Sequence, residues 1–395
     1  MGMKPVKNRS RAIFEEVGVE TPKQMPVTPK GGMIDARPKG ARKAMALWMV
    51  SLVLLAVLQL GLDATPGLGV PELALVQPWS GLTLFGLWAL GALGFVISRR
   101  QPPGWGMRNI GLGALCVAAA LSDPAPFKTI SAALVPAPAA QVLPQAGALP
   151  PLQLLPTTPP TPTPVAAAAP TPQERAAMVA DLTAAQINQM QALIGAAPLA
   201  ALRLGIAFLV IGFAFWHALE LGRTEAERIA ARRQAEPKLF GLATGVMHLS
   251  FVQILIGGLV TGLGAGAVLA DWPLMGGQVL PADMLALEPV WRNFLENQGL
   301  VQFAHRIVGY LVLILGAVTL WRARRSVHAV TRTAFWLCAI WLGMQVVLGV
   351  VALLHGDPLS LRLAHLGVAL VFWLFLLRAR FLARYPLVQS IRRTK

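Results

Sequence analysis

Eight long apolar segments run along this chain, and they constrain its fold more than any other feature. Most reach the 17–25 residues, roughly, that a helix needs to cross a hydrocarbon core, and the third is short. They lie at about 45–62, 80–98, 107–122, 199–219, 239–263, 300–321, 333–354 and 361–377. Only 13% of the residues are charged, too few to cover a soluble domain of 395 residues. The sequence predicts an all-α polytopic membrane protein, with eight transmembrane helices in two pseudosymmetric four-helix bundles.

The basic residues alternate between the two sides that such a fold would have. Of the 34 Lys and Arg residues, 28 lie in the N-terminal arm, in every second connection and in the C-terminal tail. This distribution follows the positive-inside rule and predicts an even number of spans with both termini in the cytoplasm. We therefore expect a multi-pass protein of the bacterial inner membrane, surrounded by lipid. The net charge of +16 does not indicate nucleic-acid binding, because the charges are dispersed.

The same pattern divides the chain into regions. We predict a basic cytoplasmic arm (1–43), an N-terminal bundle (44–221), a cytoplasmic linker (222–238), a C-terminal bundle (239–380) and a basic cytoplasmic tail (381–395). The outer loop at about 123–197 is rich in Pro and Ala, which predicts no packed structure there. The outer loop 264–299 carries aromatic, acidic and Pro residues, and we expect it to fold over a site as a lid.

A short internal repeat relates the two halves. The hexapeptide that begins at Arg203, Arg-Leu-Gly-Ile-Ala-Phe, aligns without a gap to His-Leu-Gly-Val-Ala-Leu, which begins at His365. The first copy lies in the fourth apolar segment and the second in the eighth. The repeat therefore agrees with a division into four plus four spans.

Two histidines are the strongest candidates for chemistry. His305 and His365 each lie four or five residues inside the outer end of a predicted span, so both are about 6–8 Å below the same surface. Imidazoles at equal depth on two helices can supply the axial ligands of one haem iron. Arg306 and Arg362 lie beside them and are suited to bind haem propionates. The alternative is that the histidines only form hydrogen bonds between helices.

The N-terminal half offers no comparable pair. No histidine precedes His217, and Arg203 occupies the repeat position of His365. The sequence thus excludes a second bis-histidine haem in this half. Arg203 is a candidate for binding a carboxylate near the outer surface, or else it has a structural role. For His217 an interfacial side chain is expected, and for His248 a hydrogen bond between helices.

Several motifs resemble the haem A synthases, the COX15/CtaA family, in the form found in alphaproteobacteria and mitochondria. The motifs are Asp271-Trp272-Pro273-Leu274-Met275, Trp291-Arg292-Asn293-Phe294, Glu296-Asn297 and Val301-Gln302-Phe303-Ala304-His305-Arg306, with Ile13-Phe14-Glu15-Glu16-Val17 and Leu221-Gly222-Arg223 in the first half. The resemblance is strongest from about Leu239 to Arg393 and fades between about 60 and 200.

The resemblance implies a fold and an activity. It implies two four-helix bundles, with haem b in the C-terminal bundle on His305 and His365. In the family the N-terminal bundle oxidises a methyl group of haem O to the formyl group of haem A for terminal cytochrome oxidases. It uses a second histidine pair and a glutamate, whereas this chain has Arg203 at one position and only Glu72 and Asp63 in the short loop 63–78. Glu72 and Arg203 are therefore the weak catalytic candidates.

Three hypotheses follow. The chain is an oxidoreductase that converts haem O, working with a haem O synthase or with oxidase assembly factors. Alternatively, it is an inactive paralogue that holds one haem b and acts in haem handling, electron transfer or oxidase assembly. A third class is a structural subunit without a cofactor, which requires His305 and His365 to be inert. A homo-oligomer is compatible with each hypothesis.

Overall fold

Helices account for nearly all of the regular structure in the chain. The computed structural model describes residues 39–63, 76–102, 104–122 and 184–387. Within these ranges lie α1 (Lys39–Asp63), α2 (Ser80–Ile97), α3 (Trp105–Leu121), α4 (Ala184–Leu221), α5 (Glu225–Arg232), α6 (Pro237–Gly262), α7 (Ala265–Val268), α8 (Asn293–Glu296), α9 (Gln298–Ala323), α10 (Ala329–Leu354) and α11 (Leu359–Arg384). The described ranges contain no β-strand, only one isolated bridge between Met275 and Gln278. The predicted all-α fold is confirmed.

All eight predicted spans are helical in the described part of the chain. Seven of these helices are long and apolar enough to cross a membrane. The remaining one, α3, has 17 residues, which at the rise of an α-helix amount to about 26 Å. That length lies at the lower limit for a transmembrane helix. A polytopic helical membrane protein is therefore confirmed, while the count of eight spans stays a prediction.

Helices α4 and α6 approach each other through small residues. Gly258 and Gly262 on α6 lie against Ala201 and Ala197 on α4. A Cβ atom placed on Gly258 would be 2.6 Å from the Ala201 Cα, and one on Gly262 would be 2.8 Å from the Ala197 Cα. On each helix the two small residues are four positions apart, so the backbones of α4 and α6 can come close together. Such contacts are a common basis of helix association in membranes.

Tryptophan indoles bring the first three helices together. The Trp48 indole lies over Gly91, and its N–H donates a hydrogen bond of 3.1 Å to the Leu87 carbonyl. The Trp88 indole lies over Gly113 in the same way, with its N–H 3.2 Å from the Asn109 carbonyl. Each indole therefore fills the space above a glycine and also satisfies its only donor in an apolar environment.

Helix α4 connects the helices that precede it to those that follow. It packs against α1 and α3 on one side and against α6 and α11 on the other. Phe208 of α4 meets Trp373 of α11 edge-on, with 6.0 Å between the ring centroids. The later helices pack as α6 with α9 and α10 with α11. The predicted domain boundaries remain predictions, and most of the basic arm and tail and residues 123–183 of the Pro-rich loop lie outside the described residues.

We predict that Gly258→Leu destabilises the protein by about 1–3 kcal/mol or more, because the new side chain would meet the backbone of α4 rather than a movable side chain. The measurement is the apparent thermal midpoint in detergent. The matched control is Gly241→Leu on the same helix, where a Cβ atom meets nothing within 4 Å. Equal midpoints for the two variants would contradict the packing assigned to Gly258.

Candidate functional site

The structure brings His305 and His365 to the same end of the helices. His305 lies in the second turn of α9 and His365 in the second turn of α11. Both side chains are half-buried, and in each ring the Nδ1 atom is buried without a hydrogen-bond partner.

Gln253 holds the His305 ring from the facing helix α6. Its Nε2 atom lies 3.1 Å from the His305 Nε2 atom and donates a second hydrogen bond of 3.0 Å to the His305 carbonyl. The amide nitrogen carries two protons, so it can reach both the ring and the carbonyl. This contact fixes the orientation of the ring, and which ring nitrogen carries the proton depends on the tautomer of His305.

Gln345 holds the His365 ring in a similar way. It lies on α10, and its Nε2 atom is 2.9 Å from the His365 Nε2 atom. The Oε1 atoms of Gln253 and Gln345 are both buried without a partner. Each histidine is therefore paired with a glutamine of the neighbouring long helix, and each pair leaves two polar atoms unsatisfied.

A glycine one turn after each glutamine makes room for the ring. A Cβ atom on Gly257 would lie 3.2 Å from the His305 Cε1 atom, and one on Gly349 would lie 3.0 Å from the His365 Cε1 atom. Both distances are shorter than ordinary van der Waals contact. The glycines thus allow each helix backbone to approach the imidazole plane.

Sequence reasoning missed these glutamines and glycines, although a signal for them exists. Gln253-Ile-Leu-Ile-Gly257 and Gln345-Val-Val-Leu-Gly349 share the spacing Gln-x-x-x-Gly, and each copy lies in the long helix preceding one that carries a histidine. A polar residue that recurs in two apolar segments at the same distance from a glycine indicates a repeated role.

The loop 264–299 folds against one face of α9. Gln302 donates to the Ala265 and Leu269 carbonyls at 3.1 and 3.2 Å. One turn later Arg306 donates to the Leu269 and Leu274 carbonyls at 3.1 and 2.8 Å. Another turn on, Tyr310 accepts a hydrogen bond of 3.0 Å from Trp272. The loop is therefore anchored next to His305 by three side chains spaced four residues apart.

Asp271 organises the tip of this loop. Its carboxylate accepts hydrogen bonds from the backbone N–H groups of Gly276 and Gly277 at 2.8 and 2.9 Å. Partial burial acts to raise the pKa of Asp271, but these backbone hydrogen bonds and the charge of Arg306 outweigh it and hold the pKa below its usual value. The ionised carboxylate thus stabilises the turn.

The two arginines beside the histidines differ in their contacts. Arg306 uses both terminal nitrogens on the loop carbonyls, whereas the Arg362 Nε atom lies 3.8 Å from an Asp357 carboxylate oxygen. Burial raises the pKa of Asp357, and the charge of Arg362 only partly opposes this. Asp357 also faces Gly266, where a Cβ atom would be 2.7 Å from its Oδ2 atom. These contacts join loop 264–299 to the turn before α11.

Of the two weak catalytic candidates, the structure describes Arg203. The Arg203 guanidinium donates two hydrogen bonds, of 3.0 and 2.7 Å, to the Ser122 carbonyl at the end of α3. Arg203 therefore has a structural role, because it satisfies a backbone carbonyl at the C-terminal end of α3. Glu72 lies outside the described residues.

The donor set around His305 and His365 fits a haem. Two imidazoles meet at one level of the helices, and each keeps a buried nitrogen without a partner. Buried polar atoms of this kind are rare unless a ligand satisfies them. Glycines clear the space beside each ring, and Arg362 provides positive charge one turn before His365 on α11.

We predict that Asp271→Asn loosens the loop at neutral pH. Because the folded-state pKa is lowered, the contact stabilises the loop above the ordinary carboxyl pKa of about 3.9 and is lost as the pH falls through the lowered value. Amide exchange at Gly276 and Gly277 should rise on the order of tenfold, as charge-assisted hydrogen bonds are worth about 1.5–3 kcal/mol. Glu288→Gln in the same loop is the control, and equal exchange in both variants would refute the role of Asp271.

Comparison with known proteins gives a consistent result. Residues 190–377 match the COX15-CtaA family, described as cytochrome oxidase assembly protein. The chain is 53% identical to a heme A synthase of Ruegeria pomeroyi over 192 residues, about half the length of each protein. It is also 33% identical to heme A synthases of Dinoroseobacter shibae and Paracoccus denitrificans, over 98% and 97% of this chain and 99% of theirs.

The first of these relatives aligns with about half of the chain, while the other two align over almost its whole length. A similarity of 33% across almost the whole length of both proteins covers the N-terminal helices as well as the C-terminal ones. The chain therefore belongs to the COX15/CtaA family.

Proposed function

We propose that the protein binds one haem b between His305 and His365. The observation that carries this proposal is the matched pair of glutamine-held imidazoles, each with a buried unpaired nitrogen. Gln253 and Gln345 orient the rings, and Gly257 and Gly349 leave space for them. When bound, the haem supplies a redox-active iron whose potential depends on its axial ligands.

The charged groups near the pair suit the two carboxylates of a haem. Arg362 is the better candidate, because its contact to Asp357 is long and no hydrogen bond to its side chain occurs within the described ranges. Arg306 is engaged with the loop carbonyls, so it holds the loop over the site and adds positive charge.

We propose further that the protein is a haem A synthase, which oxidises a methyl group of haem O to the formyl group of haem A. Family membership and the full-length relatives named heme A synthase support this activity. The substrate would be held in the N-terminal helices without a histidine pair, because no histidine precedes His217.

A second candidate function is favoured by one observation. Arg203, at the repeat position of His365, is bound to the Ser122 carbonyl, and the first half of the sequence supplies no other pair of iron ligands. A relative that keeps only the C-terminal haem b would act in haem handling, electron transfer or oxidase assembly. The two candidates differ in one product, haem A.

The proposed location of the protein is the bacterial inner membrane. The distribution of Lys and Arg along the sequence supports the bacterial inner membrane, with both termini in the cytoplasm. The histidine pair then lies near the outer surface. Haem O synthase and cytochrome oxidase assembly factors are the expected partners.

We predict that purified protein contains about one haem b per chain and that His305→Ala or His365→Ala removes it, since each change deletes an axial ligand. The host should make haem O and lack its own haem A synthase, so that extracted haems report both binding and activity. His355→Ala is the control, because the His355 ring is bonded to the Val351 carbonyl at the end of α10.

The extracted haems separate the candidates. Haem A in the extract supports the synthase, whereas haem b alone, lost in both histidine variants, supports the single-haem relative. Haem that persists in both variants would contradict the proposed site.

We predict that Gly349→Ala lowers haem b occupancy, because the added methyl group lies 3.0 Å from the His365 Cε1 atom and forces the ring to move. Pyridine haemochrome spectra measure the occupancy, and the electron paramagnetic resonance g-values report the ring orientation. The control is Gly343→Ala on the same helix, where a Cβ atom meets nothing within 4 Å. Unchanged occupancy and g-values in Gly349→Ala would remove the glycine from the proposed site.

A further inference from the structure

A second cavity lies at the opposite end of the helices from the histidine pair. It has a volume of about 740 Å³ and is lined by α3, α4, α5, α6 and α11. We call it the distal cavity and define it by Phe213, His217, Phe251, Trp373 and Arg380, with the residues around them. The proposed haem b site uses none of these residues.

The polarity of the distal cavity changes along α11. Trp373, Leu377, Arg380 and Arg384 follow each other at helical spacing on one face, over about 16 Å. The inner part is therefore aromatic and aliphatic, and the part near the helix end is cationic. Helix α4 also lines the cavity, from the apolar Leu209 to the anionic Glu220.

Positive charge exceeds negative charge in this cavity. Five arginines line it, against only two glutamates. Glu220 is already paired, at 2.5 Å from Arg108 and 3.6 Å from Arg228. Arg380 donates to the Thr244 hydroxyl at 2.8 Å and lies over the rings of Trp216 and Phe240, at 4.8 and 4.3 Å. These contacts hold the guanidinium in place without neutralising its charge.

Residues that line this cavity also carry buried polar nitrogens without partners. His217 is 5% exposed and Trp373 is 4% exposed. The His217 Nδ1 atom and the Trp373 Nε1 atom both lack a hydrogen bond, as does the Arg228 Nε atom. A buried donor without a partner costs about 1–3 kcal/mol. A cavity whose lining residues carry several such atoms is a candidate ligand site.

We infer that the distal cavity binds an amphipathic anion, with a carboxylate or phosphate head on Arg380 and Arg384 and an apolar body against Trp373 and Phe251. This shared chemistry has two sources, an acidic phospholipid or a porphyrin dicarboxylate. The inference does not depend on the proposed function, because it uses no residue of the histidine pair.

The test uses the full chain, purified in detergent and stripped of lipid. The probes are dihexanoyl phosphatidylglycerol, compared with dihexanoyl phosphatidylcholine, and zinc protoporphyrin, compared with its dimethyl ester. In each pair the second compound lacks the net negative charge. Native mass spectrometry counts the bound phospholipid, and porphyrin fluorescence anisotropy gives the porphyrin affinity.

We expect one charged probe to bind more tightly than its partner. The double variant Arg380→Gln/Arg384→Gln should weaken that binding about tenfold or more, since a charge-assisted hydrogen bond is worth about 1.5–3 kcal/mol. Arg378→Gln is the matched control, because Arg378 is exposed on the same helix and does not line the cavity. Tighter binding of phosphatidylglycerol identifies the ligand as an acidic phospholipid. Tighter binding of zinc protoporphyrin identifies it as a porphyrin dicarboxylate.

A second variant tests the inference without changing any charge, in case the arginine double variant loses binding because it misfolds. Leu209→Trp keeps every charge and fills the cavity, so it should also abolish binding of the charged probe. The inference is overturned if neither charged probe binds, if the uncharged analogues bind equally well, if Arg378→Gln is as harmful as the double variant, or if Leu209→Trp binds like the unchanged protein.

Discussion

The cost of a polar group without a partner in an apolar environment is the constraint on which this structure depends. Where the helices pack without polar contacts, they use glycine and alanine, as at Gly258 and Ala201. Where polar side chains enter the helices, most have a specific partner, as Arg203 has in the Ser122 carbonyl. Within the described ranges, many of the exceptions lie near the histidine pair or on residues that line the distal cavity, and the others are Gln59, Asn109 and Ser250. Unpaired buried atoms at the first two places are one basis of the two proposed ligand sites.

Hydropathy predicted the helices because an apolar run of sufficient length has few alternatives in a membrane. It did not predict the start of α4 at Ala184, fifteen residues before the apolar segment at 199. That extension is rich in Gln and Ala, which are good helix formers, but its Gln residues are polar and Pro198 lies within the helix. Hydropathy alone therefore placed the start of the helix too late.

The site was predictable in part. The equal depth of His305 and His365 follows from their distance to the helix starts, so their meeting at one level was expected. The pairing with Gln253 and Gln345 was not, because a lone glutamine in an apolar run does not reveal which neighbouring helix it faces. Only the three-dimensional packing of α6 with α9 and of α10 with α11 shows that each glutamine reaches a histidine.

The pairing of each histidine with the preceding long helix also bears on how the protein is assembled. Gln253 and His305 belong to one pair of consecutive spans, and Gln345 and His365 to the next. Both residues of the Gln253–His305 contact are synthesised before the second pair. The Gln345–His365 contact requires no residue of the first pair. Both half-sites are therefore encoded in hairpins of consecutive long helices, with the paired side chains 52 positions apart in the first and 20 in the second, and we expect the more local contact to form sooner. The packing of the two hairpins against each other is then the later step, because it requires contacts between more distant parts of the chain.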